Sequence, residues 1–242
     1  MIAPLLFAAA VAWNAVQFPS KDGGLVVSAR LYAPANAGPR PAVVVMHTCA
    51  GIDDTLDDWS SWLAQNGYMA LEIDSFGPRH TEAVCGTHDV PPRTRALDAA
   101  GALAYLQSRP DVIASRIGIL GFSHGGGSVL WSESESPGYR AGVALYPNEC
   151  DSAPRKLAFP LLILIGGYDD WTPASDCRYF VSKVDPAGAP GSIYVYPKAY
   201  HKFDDPQANR VAHVGHHDYT LRYDPDAAAD AHARVLAFFA AM

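Results

Sequence analysis

Apolar runs at residues 42–46, 68–73, 116–120, 141–146 and 161–165 recur along the chain, with helix-spaced segments between most of them. A strand buried on both faces reads as a continuous apolar run, and strands that alternate with helices pair in parallel. Residues 54–66 carry Trp59, Trp62 and Leu63 at helical spacing. Residues 92–107 carry Ala96, Ala99, Ala100, Leu103 and Leu106 in the same way. Segments 123–132, 174–184 and 227–241 read as further helices, and 192–196 as a strand. Residues 14–20 and 25–32 read as two strands joined by a Lys21-Asp22-Gly23-Gly24 turn, a hairpin signal. The expected class is α/β, with a mostly parallel central sheet covered by helices on both faces. On such sheets functional residues lie just after the carboxyl ends of strands.

That rule selects one segment first. Gly121-Phe122-Ser123-His124-Gly125 matches G-x-S-x-G, follows a predicted strand and opens a predicted helix. A serine on a sharp turn there presents its hydroxyl above the sheet, and glycine two residues to either side removes side chains that would collide with the backbone. In this context the chain reads as an α/β-hydrolase fold with Ser123 as nucleophile. A glycine-rich turn with a chance serine is the bland alternative.

A serine hydroxyl is a weak nucleophile and needs an adjacent base. In this fold the chain order is serine, acid, histidine. His201 follows the 192–196 strand after a short Pro197-Lys198-Ala199-Tyr200 loop and is the expected base. His213, His216 and His217 sit farther on, in what reads as a polar loop bordering the site. Asp169 and Asp170 both leave the 161–165 strand at its carboxyl end. Asp169 is the expected orienter, and Asp170 a turn carboxylate ahead of the helix that Pro173 opens.

Acyl transfer builds charge on the carbonyl oxygen, and two backbone N–H groups usually receive it. The expected donors are His124, directly after the nucleophile, and Cys49, in the His47-Thr48-Cys49-Ala50-Gly51 loop after the 42–46 strand. His47 precedes the serine in sequence and ends a strand, so it reads as a loop-fixing residue.

These segments together resemble the dienelactone hydrolase family. The match runs from Val16-Gln17-Phe18-Pro19-Ser20 to the last helix. It is carried by the Cys49 loop, Asp74-Ser75-Phe76-Gly77-Pro78-Arg79, the Ser123 turn, Gly166-Gly167-Tyr168-Asp169-Asp170-Trp171-Thr172-Pro173 and Tyr196-Pro197-Lys198-Ala199-Tyr200-His201-Lys202-Phe203. The resemblance implies cleavage of small esters or lactones through a covalent acyl-enzyme, with no metal, no other cofactor and no large lid domain. Founding members carry a cysteine nucleophile and a glutamate in the oxyanion loop. Ser123 and Thr48 occupy those positions here, so the chain is more similar to an exported serine branch. An arginine near the Arg79 loop can bind a substrate carboxylate in the family, and a structural salt bridge is the equal alternative. Trp171, Phe203, Phe76 and Tyr146 suggest an apolar substrate wall.

Other classes weigh less. A catalytically silent binding protein need not keep Ser123, Asp169 and His201 together. A serine peptidase of related fold would carry a second domain to select peptides. The net charge is −7 with no Lys/Arg run, which argues against nucleic acid as a partner. The His213-Val214-Gly215-His216-His217-Asp218 segment has no recognised zinc spacing.

With 242 residues, a single domain over 13–242 is expected. Residues 2–11 are apolar and alanine-rich, and residues 1–12 read either as a signal peptide, with Ala10-Val11-Ala12 as the cleavage site, or as an extra N-terminal helix. The first reading puts the protein in the periplasm or outside the cell, the second in the cytoplasm. Neither supplies a membrane span. Four cysteines at wide spacing fit two disulfides in an exported protein, and four cysteines allow three connectivities. Their positions relative to the strands favour Cys150 with Cys177, which leaves Cys49 with Cys85. Oligomeric state has no signal in the sequence.

Overall fold

A computed structural model of the protein describes residues 11–242 apart from 36, 37 and 88. The signal-peptide reading of residues 1–12 falls almost wholly outside the described residues. Ten strands and five α-helices follow in the order β1 (Trp13–Pro19), β2 (Val26–Tyr32), β3 (Arg40–Met46), α1 (Asp54–Gln65), β4 (Met69–Asp74), α2 (Pro92–Gln107), β5 (Val112–Phe122), α3 (His124–Glu135), β6 (Gly142–Leu145), β7 (Leu161–Gly166), α4 (Ala174–Ser182), β8 (Gly191–Tyr196), β9 (Asn209–Val214), β10 (His217–Arg222) and α5 (Pro225–Ala240).

Eight strands form one sheet in the order β1-β2-β4-β3-β5-β6-β7-β8. The β1–β2 hairpin is antiparallel and joins β4 antiparallel. From β4 to β8 every pairing is parallel. This is the α/β-hydrolase fold, and the mostly parallel sheet follows from the buried runs. β3 is buried from Ala42 to Met46, and β6 along its whole length. Helices α2 and α3 pack on each other, and α1 meets α5 where Trp59 stacks flat on His232 at 3.7 Å. Gly118 on β5 lies under Phe239 of α5, where a Cβ would come within 2.7 Å of the ring.

One element departs from expectation. The segment read as a polar loop is an antiparallel two-stranded hairpin, β9–β10, separate from the main sheet. Its strands are largely exposed, so no buried face imprints a period of two on the sequence.

Two disulfides, Cys49–Cys85 and Cys150–Cys177, use all four cysteines in the favoured pairing. Among the described residues no helix is long and apolar enough to cross a membrane.

Candidate active site

Strand β5 ends at Phe122, and Ser123 turns the chain into α3 with φ 52° and ψ −112°. A non-glycine residue there is strained, and the surroundings hold it in place. Ser123 N–H donates to Leu145 O at 2.9 Å, and its carbonyl accepts Gly127 N–H at 3.0 Å. The two motif glycines are steric requirements. A Cβ at Gly121 would lie 2.2 Å from Gly125 O, and one at Gly125 would lie 2.3 Å from Met46 O.

The three expected residues meet. His201 Nε2 is 3.0 Å from Ser123 Oγ, and His201 Nδ1 is 2.8 Å from Asp169 Oδ2. All three are buried, with His201 only 1% exposed. The chain brings Asp169 to His201 by tying their loops together. Gly167 N–H donates to Tyr196 O at 2.7 Å and Tyr168 N–H to Ala199 O at 2.9 Å. Asp169 Oδ1 accepts the N–H groups of Trp171 and Thr172, which leaves Oδ2 for the histidine. The Thr172 hydroxyl lies 3.0 Å from Asp169 Oδ2 and 3.1 Å from Tyr146 O. It has one proton, so it serves one of them at a time. The acceptors around Nδ1 leave Nε2 unprotonated and able to take a proton from Ser123.

The His201 loop is braced from the other side. Lys202 stands at φ 55°, and its ammonium bridges Asp53, the N-cap of α1, at 2.8 Å and Asp205 at 2.9 Å. This links the histidine loop to the segment that follows Cys49.

A cavity of about 320 Å³ opens over Ser123. Cys49, Val84, Cys85, Trp171 and Tyr219 line it, together with His124 and Glu149. Cys49 and His124, the two expected oxyanion donors, therefore face the same space as the serine. Trp171 packs over His201 at 5.1 Å and stacks flat on Tyr219 of β10 at 4.7 Å. Glu149 accepts Trp131 Nε1–H at 2.6 Å. A larger depression of about 450 Å³ beside Tyr194 and Asp230 contains none of these residues.

Several expectations need correction. Phe203 does not line the cavity. Lys202 reverses the chain, and Phe203 is fully buried in the core against Tyr146 and Tyr196. Phe76 and Tyr146 are equally buried beneath the site. Tyr146 packs its ring on His201 at 4.7 Å and gives its hydroxyl proton to Asp204. Arg79 is not a cavity residue either. Its guanidinium is held bidentately by the buried Asp98 at 2.8 and 3.0 Å, and also meets Asp22 and Ser75 O. Of the two readings, the salt bridge is the one present.

One residue near the site had no sequence signal. Arg95 on α2 is fully buried. It donates from Nη2 to His47 O at 2.7 Å and from Nη1 to His124 Nδ1 at 2.8 Å. Burial pushes its guanidinium down to about 9, so it remains a cation at neutral pH. His47 is fully buried against Phe76, and burial, with Arg95 beside it, holds it well below the usual histidine range. Neutral His47 gives its Nδ1–H to Thr48 O at 2.7 Å and accepts Ser75 N–H at Nε2. Among the described residues no cluster of three His, Cys, Asp or Glu side chains could hold a metal ion.

A sequence model described as the dienelactone hydrolase family matches residues 27–242. A protein of Methylorubrum extorquens, named provisionally as a carboxymethylenebutenolidase, is 26% identical over 93% of this chain and 79% of its own length. A Bradyrhizobium protein, named provisionally as a 2-oxo-3-(5-oxofuran-2-ylidene)propanoate lactonase, is 26% identical over 73% of this chain and 79% of its own. A crystal structure from Klebsiella pneumoniae, described provisionally as a dienelactone hydrolase, superposes with a TM-score of 0.75 at 25% identity. It covers 95% of this chain and 99% of that one.

Proposed function

The chain belongs to the dienelactone hydrolase family, and from that premise we propose that it is a serine hydrolase of small, uncharged carboxylic esters or lactones. The observation that carries the reading is the unbroken hydrogen-bonded chain Asp169–His201–Ser123, whose serine lines one cavity.

In this mechanism Ser123 Oγ attacks the carbonyl carbon while His201 Nε2 takes its proton. Asp169 Oδ2 accepts Nδ1–H and stabilises the imidazolium. The N–H groups of Cys49 and His124 receive the oxyanion. His201 then gives the proton to the departing alkoxide. In a lactone that alkoxide is the far end of the opened ring. Water attacks the acyl-Ser123 ester with His201 again as base, and Ser123 leaves with the proton.

The names of the relatives support a lactone or ester bond as the target. Sequestration of Arg79 supports an uncharged substrate, since its guanidinium is already occupied by carboxylates inside the protein. A cavity of about 320 Å³ suits a small molecule. Two disulfides support a location outside the reducing cytoplasm.

Ser123→Ala tests the reading. It should abolish turnover of p-nitrophenyl acetate and labelling by a fluorophosphonate probe, with little change in melting temperature. More than a few per cent residual turnover would refute Ser123 as nucleophile. Faster cleavage of aminoacyl nitroanilides than of esters by the wild type would make the protein a peptidase instead.

A further inference from the structure

The two expected oxyanion donors come from separate elements, the loop after β3 and the first residue of α3. Donors of this kind act only when held within a few tenths of an ångström of where the oxyanion forms. One side chain touches both sides. Arg95 reaches from α2 to the carbonyl of His47 and to the ring of His124.

Its environment is unusual for a cation. Its Nη atoms donate to neutral acceptors, and its Nε is buried without a partner among the described residues. Its guanidinium lies over the Phe76 ring at 4.9 Å. Arg79, by contrast, is bonded directly to carboxylates. A buried charge without a directly paired carboxylate is costly, and an apolar side chain would fill the space more cheaply. What a planar, forked donor adds is geometry.

The geometry follows from peptide planarity. His47 C=O and Thr48 N–H share one rigid plane, and Thr48 C=O and Cys49 N–H share the next. Arg95 holds the first plane through the His47 carbonyl. The His47 ring holds the second through the Thr48 carbonyl at 2.7 Å. Fixing that carbonyl fixes Cys49 N–H, which points the opposite way. On the other side, a guanidinium can only donate, so His124 Nδ1 accepts and the ring is the neutral Nε2–H tautomer.

We propose that Arg95 is a positioning residue for oxyanion stabilisation, locking the Cys49 loop and the start of α3 into one frame. The inference rests on the serine-hydrolase reading above and names the group that sets its transition-state geometry.

The test compares Arg95→Met and Arg95→Lys with the wild type on p-nitrophenyl acetate, with folded protein quantified by circular dichroism. Inhibition by phenylboronic acid, which forms a tetrahedral adduct on a serine, supplies a second readout. Arg95→Met should lower kcat by about 10²–10³, the loss expected for one oxyanion donor, with KM within about threefold. The boronate should bind more weakly by a similar factor. Arg95→Lys keeps the charge without the fork and should recover only part of the loss. If Arg95→Met does not fold, His124→Phe removes the acceptor but keeps the backbone N–H. It should lower kcat and boronate affinity together by about tenfold. A lower melting temperature with wild-type kcat per folded molecule, in Arg95→Lys or His124→Phe, would overturn the proposal. Ser123→Ala is run alongside. If it stays active, the serine-hydrolase reading fails. If it is inactive while the Arg95 variants are unaffected, only the positioning role fails.

Discussion

Asp169 and Asp170 are adjacent and serve different parts of the cavity. Asp169 Oδ2 accepts His201 Nδ1–H at 2.8 Å, whereas Asp170 accepts the backbone N–H of Thr220 at 3.0 and 3.2 Å and so docks the β9–β10 hairpin. Asp169→Asn should lower kcat by about 10²–10⁴, because an amide can hold the wrong histidine tautomer. Asp170→Asn should change kcat by less than about tenfold and act mainly on KM, through the Tyr219 wall. Steady-state kinetics of both variants decide this. A larger loss of kcat at Asp170 would reverse the assignment.

Arg79→Ala should affect carboxylated and neutral esters equally. Its main effect should be on stability. It strips Asp98, which is fully buried, of its bidentate partner and leaves it the Ser20 hydroxyl and the charge of Arg95 nearby. Breaking a buried pair costs about 3–5 kcal/mol, while the half-exposed Asp22 contact adds little. Urea denaturation measures the loss. A selective rise in KM for carboxylated esters would restore Arg79 to substrate binding.

The disulfides should differ in what their removal does. Each closes a long loop, with sequence separations of 36 and 27, so each should contribute about 3–4 kcal/mol on a loop-entropy basis. Cys49 and Cys85 also line the cavity, and Cys49 carries an expected oxyanion donor. Cys49→Ala/Cys85→Ala should therefore lower kcat as well as stability, and Cys150→Ala/Cys177→Ala chiefly stability. Equal kcat in the two double variants would remove the distinction.

One buried carboxyl, Glu133, should contribute stability that falls as pH rises through the neutral range. Glu133, in the last turn of α3, is buried, and burial raises its carboxyl to about 8. Its Oε2 accepts the N–H groups of Ala158 and Phe159. The folded state thus holds a proton that the unfolded chain releases near pH 4.5. Between about pH 4.5 and 8 folding loses stability as pH rises, by at most about 1.4 kcal/mol per pH unit for this group. Glu72 is raised to about 8 by burial too, but Arg30 at 3.3 Å opposes the shift, so Glu133 is the cleaner probe. Glu133→Gln keeps the acceptor and should flatten melting temperature against pH, as calorimetry would show. Parallel profiles would reject the assignment.

The sheet and the Ser123–His201–Asp169 chain were legible because each rests on a local signal. Strands buried on both faces leave apolar runs, the nucleophile turn demands Gly121 and Gly125, and the other two residues follow strand ends. The missed features depend on contacts distant in sequence or on side-chain direction. Arg95 reaches partners 48 and 29 residues away, and nothing in its neighbourhood on α2 marks it. Phe203 follows His201 closely, but the left-handed turn at Lys202 sends it into the core. The hairpin is largely exposed on both strands, so its one local sign was the turn at Gly215, where φ is 61°.

The β9–β10 hairpin supplies Tyr219 to the cavity and no member of the hydrogen-bonded chain that runs through Ser123. Its attachments include Thr220 to Asp170, Tyr219 to Trp171, a bridge from Leu221 to His201, and at its far end Arg222, whose N–H donates to His201 O and whose guanidinium lies over the Tyr200 ring. One wall of the substrate space is thus a separate cassette, coded by a contiguous stretch after the base. Grafting hairpins of other lengths between Asn209 and Arg222 should redirect selectivity across a panel of acyl chains while p-nitrophenyl acetate turnover persists. Engineering would then proceed by exchanging one short insert, leaving the chemistry and the eight-stranded sheet untouched.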